Sequence, residues 1–161
     1  MLKIRLAEQK DVPTILELIR AIADYEKLLD QVEATEEILN DSLFVQKGAE
    51  VLLGELDGKP IAFALFFHNF STFTGKRGLY LEDIFVQPEY RNRGYGKQFF
   101  SELARIAKER DCGRMEWICL DWNEPSIQFY KNRIQAIPLD EWTVYRVTKD
   151  QFDHVIQVKN L

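Results

Sequence analysis

Residues 79–96 read Leu-Tyr-Leu-Glu-Asp-Ile-Phe-Val-Gln-Pro-Glu-Tyr-Arg-Asn-Arg-Gly-Tyr-Gly, and no other stretch constrains the fold as much. Aromatic and β-branched residues dominate 80–86 and Pro88 stops the run, which predicts a β-strand. Beyond Gly96 the apolar positions Phe99, Phe100, Leu103, Ala104, Ile106 and Ala107 recur at helical spacing. The order is strand, Arg/Gly turn, helix. The first turn of a helix leaves backbone N–H groups without intrahelical partners, and glycines at 94 and 96 let a phosphate approach them. Arg91 and Arg93 add positive charge at the same rim. Such a turn is an anion cradle.

Two common phosphate loops do not fit it. A P-loop needs Ser or Thr after Gly-Lys, but Gln98 follows Lys97; a dinucleotide fingerprint needs a third small residue where Phe99 stands. The surrounding chain has 161 residues, enough for one domain with a single core spanning 1–161. Its 26 acidic against 21 basic side chains give a net charge of −5, so a nucleic-acid role lacks its electrostatic footprint and a cationic partner is favoured. Cys112 and Cys119 are too few for a disulfide scaffold, and with only His68 and His154 besides, no metal-ligand spacing is present. Cys119 reads as a core residue of its strand. No apolar run approaches the roughly 18 residues of a membrane span, so no membrane role and a cytoplasmic location are expected.

Taken in order, residues 2–6 alternate as a first strand. Asp11 and Pro13 then read as N-cap and first turn of a helix that carries the stripe Ile15, Leu18, Ile19, Ile22 and Ala23 and ends near Tyr25 to Leu28. A shorter helix follows Thr35. Two apolar runs, 51–56 and 61–68, flank a hairpin turn at 57–60, and the second is apolar on both faces, as a central strand is. Residues 69–78 read as a short polar connection. After the helix behind Gly96, Asp111-Cys112-Gly113 is a stop signal, 115–120 a strand, and Pro125 the first turn of another helix. A last strand is predicted at 142–148 and a polar helix at 149–158. This succession argues for an α/β layer.

The spelling Arg91-x-x-Gly94-x-Gly96 resembles the acetyl-CoA pyrophosphate loop of the Gcn5-related N-acetyltransferases, the GNAT family, and Asn123-x-x-Ser126-x-x-Phe129-Tyr130 resembles the second half of the same signature. Tyr25-Glu26-Lys27-Leu28, the run 80–86 and Leu120-Asp121-Trp122-Asn123 are similar to the diamine/polyamine branch, which includes spermidine/spermine and thialysine N-acetyltransferases. The resemblance implies a mixed, mostly antiparallel twisted sheet flanked by helices, acetyl-CoA as cosubstrate, no metal, and a homodimer.

It also implies roles. Ile84, Phe85 and Val86 would offer strand backbone to the pantetheine arm, Arg91, Asn92, Arg93, Gly94, Tyr95, Gly96 and Lys97 the pyrophosphate loop, and Asn123 and Ser126 further cofactor contacts. Tyr130 matches the catalytic tyrosine, which protonates the departing thiolate. An ammonium cannot attack a thioester, so a carboxylate must help remove its proton, and the resemblance favours Glu82 for this, through water. The small cationic acceptor would meet Tyr25, Glu26, Glu82, Asp83, Asp121, Trp122, Asp140 and Trp142. Glu82 and Asp83 are adjacent on a strand, so alternation predicts that only one faces the pocket. Where the family has glycine four residues after the tyrosine, this chain has Ile134 and an apparently extra residue, so that turn must be built differently. Two alternatives are a protein lysine or amino-terminal acceptor, and a silent CoA-binding module.

Overall fold

A computed structural model describes residues 1–158. Its sheet has the order β1-β2-β3-β4-β5, formed by Lys3–Leu6, Glu50–Leu56, Lys59–Ser71, Lys76–Val86 and Met115–Glu116. All neighbours are antiparallel except β4 and β5, which run parallel. The mixed, mostly antiparallel sheet and its flanking helices are as the sequence predicts.

The doubly apolar run does become the central strand. On β3, Ala62, Ala64 and Phe66 face one core with Phe99, Phe100 and Leu103 of α3 (Tyr95–Glu109), while Phe63 and Leu65 face another with Ile15 and Leu18 of α1 (Val12–Tyr25) and Leu39 of α2 (Glu36–Asn40). Burying each Leu, Ile or Phe side chain contributes about 1.5–3 kcal/mol, so the two layers carry most of the folding drive. Helix α3 lies close enough to the sheet that a Cβ on Gly54 would stand 2.8 Å from the Phe99 ring, which fixes glycine there. Thr35 caps α2, accepting from the Ile38 N–H at 3.2 Å. Asp11 sits at the N-cap of α1 without bonding that helix by its side chain, because its carboxylate accepts instead from Arg5 and from the Glu8 N–H, each at 2.7 Å.

Four predictions of local structure need correction. Residues 69–78 are no mere connection: β3 and β4 extend through them, pairing as far as Ser71↔Lys76. The strand predicted at 115–120 pairs only at Met115 and Glu116, after which the chain leaves the ladder and 117–120 form no regular element. The strand predicted at 142–148 does not form, because among the described residues no neighbour offers those residues a ladder. Cys119, read as strand core, is half-exposed outside the ladder.

The missing glycine after Tyr130 is accommodated as its absence requires. Helix α4 (Glu124–Phe129) passes into a π-turn at Tyr130–Ile134, which absorbs one extra residue, and Gln135 takes the left-handed conformation at φ 59°. The Ala136 N–H then closes the turn on the Tyr130 carbonyl at 3.0 Å. The polar segment at the end of the described chain is helical in its second half, α5 (Phe152–Gln157).

Candidate active site

Parallel strands β4 and β5 pair only at Leu79↔Met115 and Tyr80↔Glu116 and then part. The cause lies in β4. Across from it, Leu65 pairs with Asp83 and the next residue, Phe66, pairs with Leu81, so Glu82 is an extra residue in a β-bulge. A bulge bends its strand and increases the local twist, and this one begins one residue past the last parallel pair. The resulting cleft, about 570 Å³, runs between 81–86 on one side and 117–120 with α4 on the other.

The bulge also reverses the alternation. Leu81 belongs to the α3 core and so do Ile84 and Val86, whereas Asp83 pairs with Leu65 on the α1 side. Tyr80 pairs with Phe67, which also faces the α1 side, and Glu82 follows it at the two-residue strand period. Glu82 and Asp83 therefore project to the same side of the sheet, and alternation fails as a guide here. Glu26, just past α1, lines the cleft on that side too. Burial together with the neighbouring Glu82 and Glu26 charges pushes the Asp83 carboxyl up to about 6, and burial raises Glu26 as well.

The opposite wall is aromatic. The Tyr130 ring packs edge-on to Trp117 at 5.3 Å and near Phe100 and Phe129 at 5.7 and 5.6 Å. Burial, with Cys119, Glu26 and Tyr25 nearby and Ser126 acting in the opposite sense, pushes its phenol up to about 12, so it keeps its proton throughout the neutral range. Asn123, buried, and Ser126 line the same wall.

At the cleft's end lies the Arg/Gly loop. Gly94 has φ +79°, a left-handed conformation that a side chain would strain, although the space around its Cβ position is open. The N–H groups of Tyr95, Gly96 and Lys97 find no acceptor among the described residues, and Gln98 is the first to bond back, to Gly94. Asn92, Gly94, Tyr95, Gly96 and Lys97 all line the cleft. Arg91 is built differently from the rim charge that its position predicts. Its Nε donates to the Val86 carbonyl at 2.9 Å, and its guanidinium lies 4.3 Å from the centre of the Tyr25 ring and 5.3 Å from that of Phe85. Arg91 thus ties the loop to β4 and to the end of α1, where Tyr25 in turn donates to Asn123 at 3.4 Å.

This geometry comes with matching relatives. The model of the acetyltransferase (GNAT) family matches residues 13–133. The chain belongs to that family. Thialysine N-epsilon-acetyltransferase of Sus scrofa is 39% identical over 137 residues, covering 80% of each chain. L-ornithine N5-acetyltransferase of Arabidopsis thaliana is 31% identical over 194 residues, covering 92% of this chain and 85% of its own. In fold, this acetyltransferase is similar to an integron cassette protein of V. cholerae, with TM-score 0.79, 23% identity and 98% of each chain covered. A GNAT enzyme takes its acetyl group from acetyl-CoA and delivers it to an amine. The residues present fit that cosubstrate: bare N–H groups at Tyr95 to Lys97 suit a pyrophosphate, and the free edge of β4 suits an arm that carries amides.

Not every predicted site residue is brought into the cleft. Asp121, Trp122, Asp140 and Trp142 are exposed and outside its lining, although the Trp122 ring lies 6.0 Å from Tyr25. Arg93 points away, donating to the Glu89 carbonyl. Conversely, Trp117, Cys119 and Arg146 line the cleft without having been singled out for it. A lone Cys and a lone Arg in strand-like runs carry no spacing signal that could have marked them. Among the described residues no three His, Cys, Asp or Glu side chains converge to hold a metal ion, and no helix is long and apolar enough to cross a membrane.

Proposed function

We propose that this acetyltransferase acts on the terminal primary amine of a small acceptor that carries a second charged group, of the thialysine or diamine type. The observation that carries the proposal is the bulge, which turns Glu82 and Asp83 to the side of the cleft that Glu26 also lines. Three carboxylates around a half-buried cleft favour a compact cation with more than one positive centre. Names given to relatives agree in chemistry: thialysine, ornithine and spermidine or spermine all present a terminal amine at a distance from another charge. Arg146 adds a cation to the lining and has no acidic partner among the described residues, which favours an amino-acid acceptor with a carboxylate over a polyamine.

In this reading acetyl-CoA supplies a thioester as acyl donor. The loop at Gly94 to Lys97 holds its pyrophosphate, and a backbone N–H near Phe85 or Val86 steadies the carbonyl. The ammonium gives up its proton to the carboxylate pair at the bulge, directly or through one water. Asp83, held near 6, is the better matched member because a base works best when its pKa lies close to the operating pH. Tyr130 donates its phenolic proton to the sulfur that leaves.

Thiol release from acetyl-CoA across thialysine, ornithine, lysine, putrescine, spermidine, spermine and lysine-containing peptides tests the proposal. Small amines should exceed peptides in kcat/KM by about 100-fold or more. Peptides ranking first would replace this reading with a protein acceptor. Among small amines, Arg146→Ala should raise KM for amino acids and leave polyamines unchanged.

A further inference from the structure

The cleft has an open end and a closed one. Its open end is the Arg/Gly loop, where the bare N–H groups of Tyr95 to Lys97 lie beyond the last residue of β4. Its closed end is the vertex where β4 and β5 make their last pair, Tyr80↔Glu116, and the lining stops just past that pair, at Leu81 on one wall and Trp117 on the other. Leu81 is 1% exposed and belongs to the α3 core, and its strand is tied to β3 along the other edge, so this wall is fixed. Trp117 is half-buried, and its indole stands edge-on to two rings, 5.0 Å from Phe100 and 5.3 Å from Tyr130. Phe100 is itself 4% exposed, so the indole cannot retreat in that direction. Side chains packed in this way resist added volume.

We infer that Trp117 sets the length of the acyl group that the enzyme transfers, holding the donor to acetyl. The inference rests on the proposed use of the cleft, with the pyrophosphate at the loop and Tyr130 at the departing sulfur. An arm anchored at the loop and laid along the free edge of β4 runs toward the vertex, so whatever the sulfur carries points at the closed end. Tyr130 packs against Trp117, which puts the indole beside the acyl group of any thioester whose sulfur that phenol can protonate. A methyl group ends there. A longer chain must either displace the indole or turn out of the cleft toward Glu82, Asp83 and Glu26, where its carbons would strip water from carboxylates and block the path of the acceptor. The chemistry itself does not depend on the chain: the amine nitrogen bonds to the acyl carbon, the C–S bond breaks, and the thiol leaves with the phenolic proton. Discrimination is therefore steric, and one methylene in an apolar pocket is worth about 10–200-fold.

The test is kcat/KM for acetyl-CoA, propionyl-CoA and butyryl-CoA at saturating acceptor, in wild type, Trp117→Phe and Trp117→Ala, together with calorimetric binding of the same three thioesters. Wild type should prefer acetyl over butyryl by about 100-fold or more, two methylenes at the lower bound. Trp117→Ala should narrow that ratio to about tenfold or less and raise the butyryl value above that of wild type, even as acetyl transfer falls with the loss of packing on Tyr130. Damage alone cannot produce such a gain. Trp117→Phe keeps a ring against Phe100 and Tyr130 and should gain about tenfold with propionyl relative to acetyl; it carries the test if the alanine variant does not melt cooperatively. A wild type that uses butyryl within about threefold of acetyl overturns the inference, as do variants that lower all three donors equally. Binding needs no acceptor, so if no amine turns over, the same ranking is read by calorimetry, and the inference stands or falls apart from the acceptor reading. Acetyl-CoA that fails to bind would overturn both.

Discussion

The two walls of the cleft are made by different physics. The β4 wall is a long strand held on one side by β3, and its chemistry is charge: Glu82 and Asp83 at a bulge, with Glu26 alongside. The facing wall holds only two ladder pairs and is kept in place by aromatic packing, with Tyr130 among Phe100, Trp117 and Phe129. One wall thus positions carboxylates through backbone hydrogen bonds, and the other positions a phenol through ring contacts. The difference teaches where each can be altered. A ring can lose its hydroxyl with the packing intact, whereas a bulge carboxylate cannot change without altering the electrostatics of its neighbours.

The largest effect should come from the aromatic wall. Tyr130→Phe keeps the ring and removes the proton, so turnover should fall by about 10²–10⁴ with CoA affinity nearly unchanged, as steady-state kinetics and calorimetry together would show. Near-normal turnover would leave Tyr130 with packing alone and erase the contrast between the walls.

Next is the loop that closes the cleft. Gly94→Val should weaken CoA binding by about 10–100-fold in calorimetric titration, through the left-handed backbone it strains rather than through a clash, because the surrounding space is open. Gly94→Asn, which tolerates φ near +79°, should recover much of the loss. Equal damage from both would mean that space, not conformation, governs the loop.

On the charged wall, Asp83→Asn should lower kcat about tenfold, Glu82 remaining as the other member of the pair, raise the acceptor KM about tenfold, and at the same time stabilise the fold. The carboxyl binds its proton more tightly in the folded chain, at about 6 against 3.8, so its contribution favours folding at low pH and is withdrawn as pH rises through that interval. At pH 7.5 the variant should therefore be more stable by roughly 3 kcal/mol, or about 6–12 °C in Tm, and at pH 3.8 the gap should nearly close. In wild type, acceptor binding should weaken as pH falls below about 6, and the variant should lose that dependence. A Tm difference that does not change with pH would show that Asp83 is not the group being titrated.

The smallest effect concerns the tie between the walls. Tyr25→Phe removes a long 3.4 Å bond to Asn123 but keeps the ring under the Arg91 guanidinium, so kcat/KM should change less than about threefold. Tyr25→Ala removes both and should cost clearly more, which a double cycle with Arg91→Lys would assign to the ring contact.

Much of this was legible in one dimension. The Arg/Gly turn, the apolar stripe of α1, the doubly apolar central strand and the tyrosine after Asn123 and Ser126 are local patterns, set by hydrophobic period and by the conformations that Gly and Pro allow. Even the turn without its glycine was legible as a departure, and Gln135 supplies the left-handed residue that Ile134 could not. The 142–148 strand failed because β propensity needs an edge to pair with, and pairing is not a local property.

What the sequence by itself determined is therefore the order of elements as far as α4, the anion cradle and the identity of the groups able to carry out the chemistry. Only the tertiary structure decided which of them meet. A single unmatched residue at Glu82 turned two adjacent carboxylates to one side, and it appears in no pattern of β4 alone because a bulge is defined by the count on the partner strand. Tertiary packing likewise turned Arg91 inward onto Tyr25 and left Asp140 and Trp142 outside the cleft. Side-chain period is a property of one strand, but register belongs to two, and register set the site.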